Sequence, residues 1–249
     1  MASVRDLVLL TLCAAAIGCS SVHQPGQDDV PVAEPTMTVT PAGVASALRA
    51  AKPGEVIAVE PGVAPGDIYL SGIQGTEAQP ITLRAADPND PPLLEGGSEG
   101  MHLTEVSWLI IDGLRIRGAS GNGLNIDDGG AFETPSHHVT LRNVTIEDIG
   151  PDGNRDGLKL SGVVDFRVEG CTLRRWGSDG SGIDMVGCHR GVIESCQFEH
   201  DPGSMGSGVQ AKGGASQVVV RRCDFRHAGS RAVNIGGSTD LEFFRPEPQ

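Results

Sequence analysis

Three oxygen-bearing side chains alternate along a glycine-rich stretch with a spacing that is typical of calcium-binding loops. Asp152, Asn154 and Asp156 stand two residues apart, and Gly157 follows them. Carboxylate and amide oxygens at alternate positions can converge on Ca²⁺, and the pattern matches the first half of an EF-hand loop. The twelfth position is Val163 instead of Glu, so the segment is not an EF-hand. The alternative is that these residues make turns, which Asp, Asn and Gly favour.

A second group of polar side chains lies between apolar neighbours in short runs. Lys159, Asp184, Gln210 and Asn234 each occupy the middle of such a three-residue run. Because alternate side chains of a strand point to opposite faces, we expect these polar residues to share an outer face. Such a face can hydrogen-bond a sugar chain, and Trp176, which follows a strand, is a candidate for stacking on a sugar ring.

The elements that must position these residues come from an internal repeat. An apolar triplet recurs five times: Ile111/Leu114/Ile116, Leu141/Val144/Ile146, Val168/Cys171/Leu173, Ile193/Cys196/Phe198 and Val220/Cys223/Phe225. The middle members are spaced 30, 27, 25 and 27 residues apart. Self-similarity at this period indicates a repeat architecture, in which each unit buries its apolar face against its neighbours.

Each repeat consists of short strands without a helix between them. The runs are rich in Val and Ile and are bounded by Gly, Ser and Asp, which predicts strands. We therefore predict an all-β fold, a right-handed parallel β-helix, which is a single-stranded solenoid. Equivalent residues then stack about 4.8 Å apart. Cys171, Cys196 and Cys223 should form an inward ladder of free thiols, with disulfides between adjacent rungs as the alternative.

The solenoid is assigned to residues 38–249. Apolar residues at helical spacing in Pro41–Ala51 predict a short helix that caps the N-terminal end and covers its strand edges. Asp67–Ser71 and Pro80–Ala85 are predicted early strands. No capping element follows the last repeat. Either something unusual covers the strand edge there, or the chain is a truncated form of a longer one.

The N-terminus has the features of a bacterial lipoprotein signal. Residues 1–18 contain the apolar stretch Leu7–Ile17, which is too short to span a bilayer but suits a signal peptide. Ala16–Cys19 resembles a lipobox with Cys19 as the lipidated residue, and residues 19–37 read as a disordered tether. Ser20 favours the outer membrane in lipoproteins that resemble this one. Ordinary secretion is the alternative.

Three stretches near the start of the chain carry a resemblance to a known family. The segments AAKPGEVIAVEPG, GTEAQPITLRAADPNDPP and WLIIDGLRI resemble the opening of the chondroitinase-B/alginate-lyase family, within the pectate-lyase-like superfamily. The similarity runs from about Thr38 to Gly237. It implies a β-helix, a polysaccharide partner and β-elimination on uronate sugars. Lyases of this sort commonly use Ca²⁺ to neutralise the uronate, although some use none.

The resemblance also implies two catalytic residues. In the family, a Lys at a place similar to that of Lys212 removes the proton α to the uronate carboxylate. The family pairs this Lys with an Arg one rung later, in an Arg-His-Gly segment. Here that segment reads Asn-Ile-Gly-Gly, and Arg231 is the nearby outward-facing Arg. Lys212 and Arg231 are therefore the implied pair, with a solvated surface lysine as the alternative for Lys212.

The net charge of −13 argues against nucleic acid or an anionic membrane surface as a partner. Binding of an acidic sugar then needs a local basic patch or a cation. We expect a monomeric cell-envelope lipoprotein, attached to the membrane only through its lipid, that binds or acts on polysaccharide. Lyase chemistry is favoured over glycoside hydrolysis, because Gly180 and Ser181 replace the paired Asp residues of polygalacturonases, which the Asn154–Leu160 segment otherwise resembles. The alternative is a non-catalytic surface β-helix for adhesion or scaffolding.

Overall fold

Three parallel sheets run along the molecule, and successive strands of the chain pass from one sheet to the next. The computed structural model describes residues 33–131 and 133–245. Each strand hydrogen-bonds to strands of its own sheet that lie one turn away. Connections between parallel strands are right-handed, so the chain winds into a solenoid. The predicted right-handed parallel β-helix is confirmed.

The strands of the described residues fall into sheets A, B and C. Sheet A contains Met37–Val39, Val56–Val59, Ile81–Ala85, Ser107–Asp112, Ser136–Arg142, Val163–Val164, Arg167–Glu169, Val192–Glu194 and Val219–Arg221. Sheet B contains Val63–Pro65, Leu93–Glu95, Arg115–Arg117, Thr145–Glu147, Thr172–Arg174, Gln197–Glu199 and Asp224–Arg226. Sheet C contains Ile68–Ser71, Met101–Thr104, Leu124–Asp127, Leu158–Ser161, Ser181–Val186, Ser207–Lys212 and Arg231–Ile235. The strands at 68–71 and 81–85 confirm two of the sequence predictions.

The interior is built from columns of like side chains, one from each turn. In sheet C the register aligns six buried apolar residues: Ile68, Met101, Leu124, Leu158, Ile183 and Val209. The predicted thiol ladder is present, with Cys171 and Cys196 buried and Cys223 half-buried in the last turn, all as free thiols. Burial of such columns supplies the main favourable free energy of a repeat fold.

The corner between sheets A and B contains one left-handed residue in each turn from Ser107–Asp112 onward. The residue there has a φ of about +50° to +75°, and the five are Gly113, Asn143, Gly170, Ser195 and Arg222. Asn is one of the few side chains that tolerate this conformation well, and Asn143 donates to Asp112 at 2.8 Å. Because this corner is short, only a few residues separate the first two members of each apolar triplet.

The corner between sheets B and C requires glycine for a different reason. Gly123 and Gly157 each directly precede a strand of sheet C, and Gly182 and Gly208 are the second residues of their strands. A Cβ atom at Gly182 would lie 2.7 Å from the carbonyl oxygen of Gly208 and 2.9 Å from the Phe198 ring. The backbones of adjacent turns therefore approach too closely here for any side chain.

One end of the solenoid is covered by a helix. The 3-10 helix Pro41–Gly43 leads into the α-helix Val44–Ala50, whose buried residues are Val44, Ala47 and Leu48. The helix packs against Val56–Val59 of sheet A and Ile68–Ser71 of sheet C, so the predicted cap is confirmed. Among the described residues, no helix has the length and the apolar character needed to cross a membrane.

At the other end, no described residue covers the last turn, and the chain turns back along the side. Inward-facing residues of the last turn are exposed, with Ile235 at 89%. Residues 236–245, which include the 3-10 helix Leu241–Phe243, fold back, and the Arg245 amide donates to Gly213 at 3.0 Å. The predicted signal peptide at 1–18, Cys19 and the tether as far as residue 32 lie outside the described residues.

Candidate functional site

The outer face of sheet C carries a column of polar and aromatic side chains, one from each turn. The register joins seven residues: Tyr69, His102, Asn125, Lys159, Asp184, Gln210 and Asn234. Neighbouring strands lie about 4.8 Å apart. The four residues predicted from alternation, from Lys159 to Asn234, therefore lie on one face in the expected order.

Asp184 holds two lysines at the centre of this face. Its side chain is 1% exposed and contacts the Lys159 ammonium through Oδ2, while Lys212 Nζ lies 3.2 Å from Oδ1. The Lys212 contact is an ion pair without hydrogen-bond geometry, so Asp184 Oδ1 has no hydrogen-bond partner among the described residues. Lys212 is only 13% exposed, so the alternative of a solvated surface lysine is wrong. The chain contains three lysines in all, and two of them share this carboxylate.

A second buried carboxylate, Asp156, completes the lysine cluster. Its Oδ2 lies 3.5 Å from Lys159 Nζ, and its Oδ1 accepts the Ser181 amide at 2.8 Å. Burial, and then the charge of Asp184, raise the pKa of Asp156 to about 6. Burial opposes the Lys159 charge, but the two carboxylates outweigh it and raise the pKa of Lys159. With Asp156 protonated below about pH 6, the four side chains carry one net positive charge.

A histidine between two carboxylates lies on the same face, two turns closer to the capping helix than Lys159. His102 Nδ1 is 2.8 Å from Glu99, and Nε2 is 2.6 Å from Asp127. Hydrogen bonds to Asp127 and then to Glu99 raise the pKa of His102 to about 9. Burial would raise the pKa of Asp127, but hydrogen bonds from His102 and Gly129 outweigh it and lower that pKa. His102 is therefore charged at neutral pH.

A pocket of about 320 Å³ opens beside the lysine pair. Lys159 and Lys212 of sheet C form one part of its wall, and residues 238–240 with Phe243 form a second wall from the segment after the last strand. Arg245 anchors this second wall, because its Nε lies 2.7 Å from a carboxylate oxygen of Asp128 in a buried ion pair. The pocket therefore lies between a rigid sheet and a segment fixed to that sheet.

The structure does not bring the implied catalytic pair together. Arg231 aligns with Ser207 at the start of its strand, whereas Lys212 is the last residue of that neighbouring strand. Five residues of extended chain separate the two positions by about 16 Å. Arg231 is exposed, and a role for it beside Lys212 is contradicted by this register.

Trp176 does not lie at the surface, where the sequence prediction put it. Its side chain is 2% exposed and belongs to the core. Its ring meets His200 edge to face, and His200 Nε2 donates to the Trp176 carbonyl oxygen at 2.6 Å. Although Trp176 follows a strand, it turns inward to fill the corner, so a sugar cannot stack on it.

The predicted calcium ligands are divided between two environments. Asp156 faces Lys159 and Ser181, whereas Asp152 and Asn154 are exposed. Within residues 33–131 and 133–245, no group of three or more His, Cys, Asp or Glu side chains could hold a metal ion. The buried carboxylate that would anchor a loop of this kind is already occupied by an ammonium group.

Sequence reasoning missed the part of the face nearer the helix. Tyr69, His102 and Asn125 continue the column, and Glu99 accepts from Asn125 at 3.4 Å. The signal was present, since Ile68–Leu70 and Met101–Leu103 also place a polar or aromatic residue between two apolar ones. These runs precede the clearest apolar triplets, and their repeat spacing is less regular.

Comparisons with known proteins agree with this architecture. Residues 99–245 match the family model described as right handed beta helix region. The chain belongs to this right-handed β-helix family. No curated protein sequence matches the chain.

Several solved structures are similar to this β-helix protein. An alginate lyase from Paenibacillus sp. str. FPU-7 superposes with a TM-score of 0.64 at 24% identity, covering 81% of this chain and 76% of that one. A mannuronic acid specific polysaccharide family 6 lyase from human gut microbiota gives 0.63 at 13% identity, covering 80% and 50%. A pectate lyase gives 0.52 at 17% identity, covering 76% and 62%. The chain thus spans about half of the second structure, and at these identities the likeness is one of fold.

The ring of His102 should titrate with a midpoint near pH 9 in an NMR experiment. The Asp127→Asn variant should move this midpoint toward the ordinary value of 6.5, because the strongest acceptor for the His102 proton is lost. The pKa is raised on folding, so the stability from this charged cluster is complete below pH 6.5 and is lost as the pH rises through 9. A wild-type midpoint near 6.5 would contradict the geometry.

The Asp184→Asn variant should lose about 3 kcal/mol of unfolding free energy, because two largely buried ammonium groups lose their shared counter-charge. Urea unfolding measures this loss. Asp148→Asn is the matched control, since Asp148 also pairs with a cation, Arg175, but both partners are more than 40% exposed. The control should lose less than about 1 kcal/mol. Equal losses in the two variants would show that the Asp184 cluster is not a buried ionic centre.

Proposed function

We propose that this protein binds an acidic polysaccharide along the outer face of sheet C and cleaves it by β-elimination. The observation that carries the proposal is the lysine pair on Asp184. A chain with a net charge of −13 places two of its three lysines side by side on this face. These ammonium groups, in a cluster that carries a net positive charge once Asp156 is protonated below about pH 6, supply the local positive charge that an anionic sugar requires on an otherwise acidic molecule.

The shape of the face supports an extended sugar chain as the ligand. Its column of side chains repeats about every 4.8 Å along the solenoid, which is comparable to the length of one sugar unit. The column offers the half-exposed ring of Tyr69, amides at Asn125 and Gln210, and the lysine cluster. Aromatic rings and amides are the groups that contact the apolar and hydroxyl faces of sugars.

The similar solved structures support the same class of ligand. Two are named as lyases of alginate or of mannuronic acid polysaccharide, and a third as a pectate lyase. Alginate, mannuronic acid polysaccharide and pectate are all built from uronic acid units. Alginate is therefore the first substrate to test.

The lysine cluster can supply both requirements of β-elimination. A base must remove the proton on C5 of the uronate; the C5–H electron pair forms the C4–C5 double bond, and the C4–oxygen bond breaks with the proton delivered to the leaving oxygen. We assign the base to Lys212 and carboxylate neutralisation to Lys159. The base must be the neutral amine of Lys212, whereas Lys159 keeps its charge because, against the effect of burial, Asp184 and Asp156 raise its pKa.

Binding without cleavage is the second candidate function. It is favoured by the position of Arg231, which aligns with Ser207 at the far end of the strand from Lys212. Among the described residues, the register therefore places no cationic side chain of the next turn beside Lys212. On this reading, the lysine cluster recognises uronate as a fixed positive site.

The wild-type protein should generate ultraviolet-absorbing unsaturated uronate from alginate, and Lys212→Ala should reduce the rate at least a hundredfold, because a positioned base contributes about 10²–10⁴-fold. Lys52→Ala is the matched control, because Lys52 is exposed and lies beside the capping helix. Polygalacturonate, chondroitin and heparin are tested in parallel, with and without Ca²⁺.

These assays separate the two candidates. Retention on immobilised alginate without an absorbance rise would support binding alone. Neither retention nor turnover with any of the four polymers would contradict the proposed function. An equal loss of rate in Lys52→Ala and Lys212→Ala would remove Lys212 from the reaction.

We further propose that the protein is held at the bacterial cell envelope, in the outer membrane, by a lipid on Cys19. The support is the signal-like stretch before Cys19 and the lipobox-like Ala16–Cys19 segment. A lipid anchor would place the solenoid at the surface where extracellular polysaccharide is met.

Cells expressing the full chain should incorporate radiolabelled palmitate into it, and Cys19→Ser should abolish the label because the acceptor thiol is lost. Cys13→Ser should leave the label unchanged, because Cys13 follows Leu12, whereas Cys19 follows Gly18. Labelling that survives in Cys19→Ser would contradict this anchor.

A further inference from the structure

We infer that the pocket beside the lysine pair is a subsite for one uronate ring, with Phe243 as its stacking surface. The inference rests on the proposed function and deepens it. Lys159, Lys212 and Phe243 all line this pocket. A sugar carboxylate can therefore face the ammonium groups while its ring lies against the aromatic side chain.

Phe243 has the exposure and position that Trp176 lacks. The chain is poor in aromatic residues, at 4%, and the exposed aromatic rings among the described residues are Tyr69, Phe243 and Phe244. Phe243 is 50% exposed and lines the lysine pocket, whereas Phe244 is 49% exposed and does not line it. An exposed ring that faces a polar pocket is suited to the apolar face of a sugar.

An unpaired hydroxyl in the same pocket independently indicates a polar ligand. Thr239 Oγ1 is buried and has no hydrogen-bond partner among the described residues, and Thr239 lines the pocket. A buried hydroxyl without a partner lowers stability. A sugar hydroxyl or carboxylate could satisfy it, and the exposed carboxylate of Asp240 on the same wall can accept a hydrogen bond from the ligand.

The wall that carries these residues is fixed in place. Arg245 pairs with Asp128, donates its amide to Gly213 and donates through its guanidinium to Glu242 O at 3.1 Å. A Cβ atom at Gly214 would lie 2.3 Å from the Arg245 carbonyl oxygen, so glycine there admits the segment. Asp128 and Arg245 are both buried, and this pair positions Phe243 before any ligand arrives.

The pocket size is appropriate for a single ring. Its volume of about 320 Å³ is near the small end of the range for small-molecule sites. A polymer lying on sheet C would place one of its rings in the pocket and the adjacent rings along the column. Affinity should then depend on Phe243 even though no sequence repeat contains it.

Isothermal titration calorimetry with alginate oligosaccharides tests the subsite. Phe243→Ala should raise Kd about tenfold, equivalent to about 1.4 kcal/mol. Phe244→Ala, the matched control, should stay within about twofold of wild type because its ring lies outside the pocket. Phe243→Trp should retain affinity, and Thr239→Val, which removes the hydroxyl at nearly constant volume, should weaken binding. Thermal unfolding of each variant confirms that it is folded.

The outcomes separate the subsite from the proposed function. Wild-type binding with unchanged affinity in Phe243→Ala overturns the subsite alone. Equal weakening in Phe243→Ala and Phe244→Ala also overturns it, because the effect would then belong to the segment rather than to the ring. Absence of wild-type binding to alginate, polygalacturonate, chondroitin and heparin oligosaccharides overturns the proposed function and the subsite together.

Discussion

In-register parallel stacking is the constraint on which the rest of this structure depends. A strand of sheet C hydrogen-bonds only to strands one turn away, so each side chain has its register partners as fixed neighbours on the outer face. Lys159 meets Asp184 because Leu158 aligns with Ile183 in the core. A one-residue slip would reverse the two faces of a strand, expose its apolar column and bury its polar one. The same apolar column that stabilises the solenoid therefore also determines which charges come into contact.

Much of the sheet C face could be predicted from the sequence for this reason. A run such as Leu-Lys-Leu predicts which side chain points outward. Its apolar neighbours also predict which residue of the next run that side chain will contact. The order from Lys159 to Asn234 followed from that pattern. The pocket beside Lys212 did not, because residues 238–240 and Phe243, which help to line it, lie outside the repeat.

The failures have local or long-range physical causes. Trp176 stands after a strand, where alternation ends, and nothing in the sequence states that the corner of the solenoid has room for an indole. Arg231 was placed near Lys212 by resemblance, whereas the hydrogen-bonded register aligns it with Ser207. Arg245 pairs with a carboxylate 117 residues away, and no periodicity links the two. Contacts between repeated elements were thus predictable, and contacts between the repeat and the irregular segment were not.

The stacked columns have a consequence for how such a surface can change in evolution. Removal of one whole turn, from Leu158 to Gly182, would preserve every corner and every apolar column, since Ile183 would take the place of Leu158. Asp184 would then lie beside Asn125 instead of Lys159, with Lys212 still in contact. Gain or loss of a turn would therefore recombine the side chains of the face without redesigning the core. Specificity for different polymers could diverge by editing the number of turns as well as by point substitution.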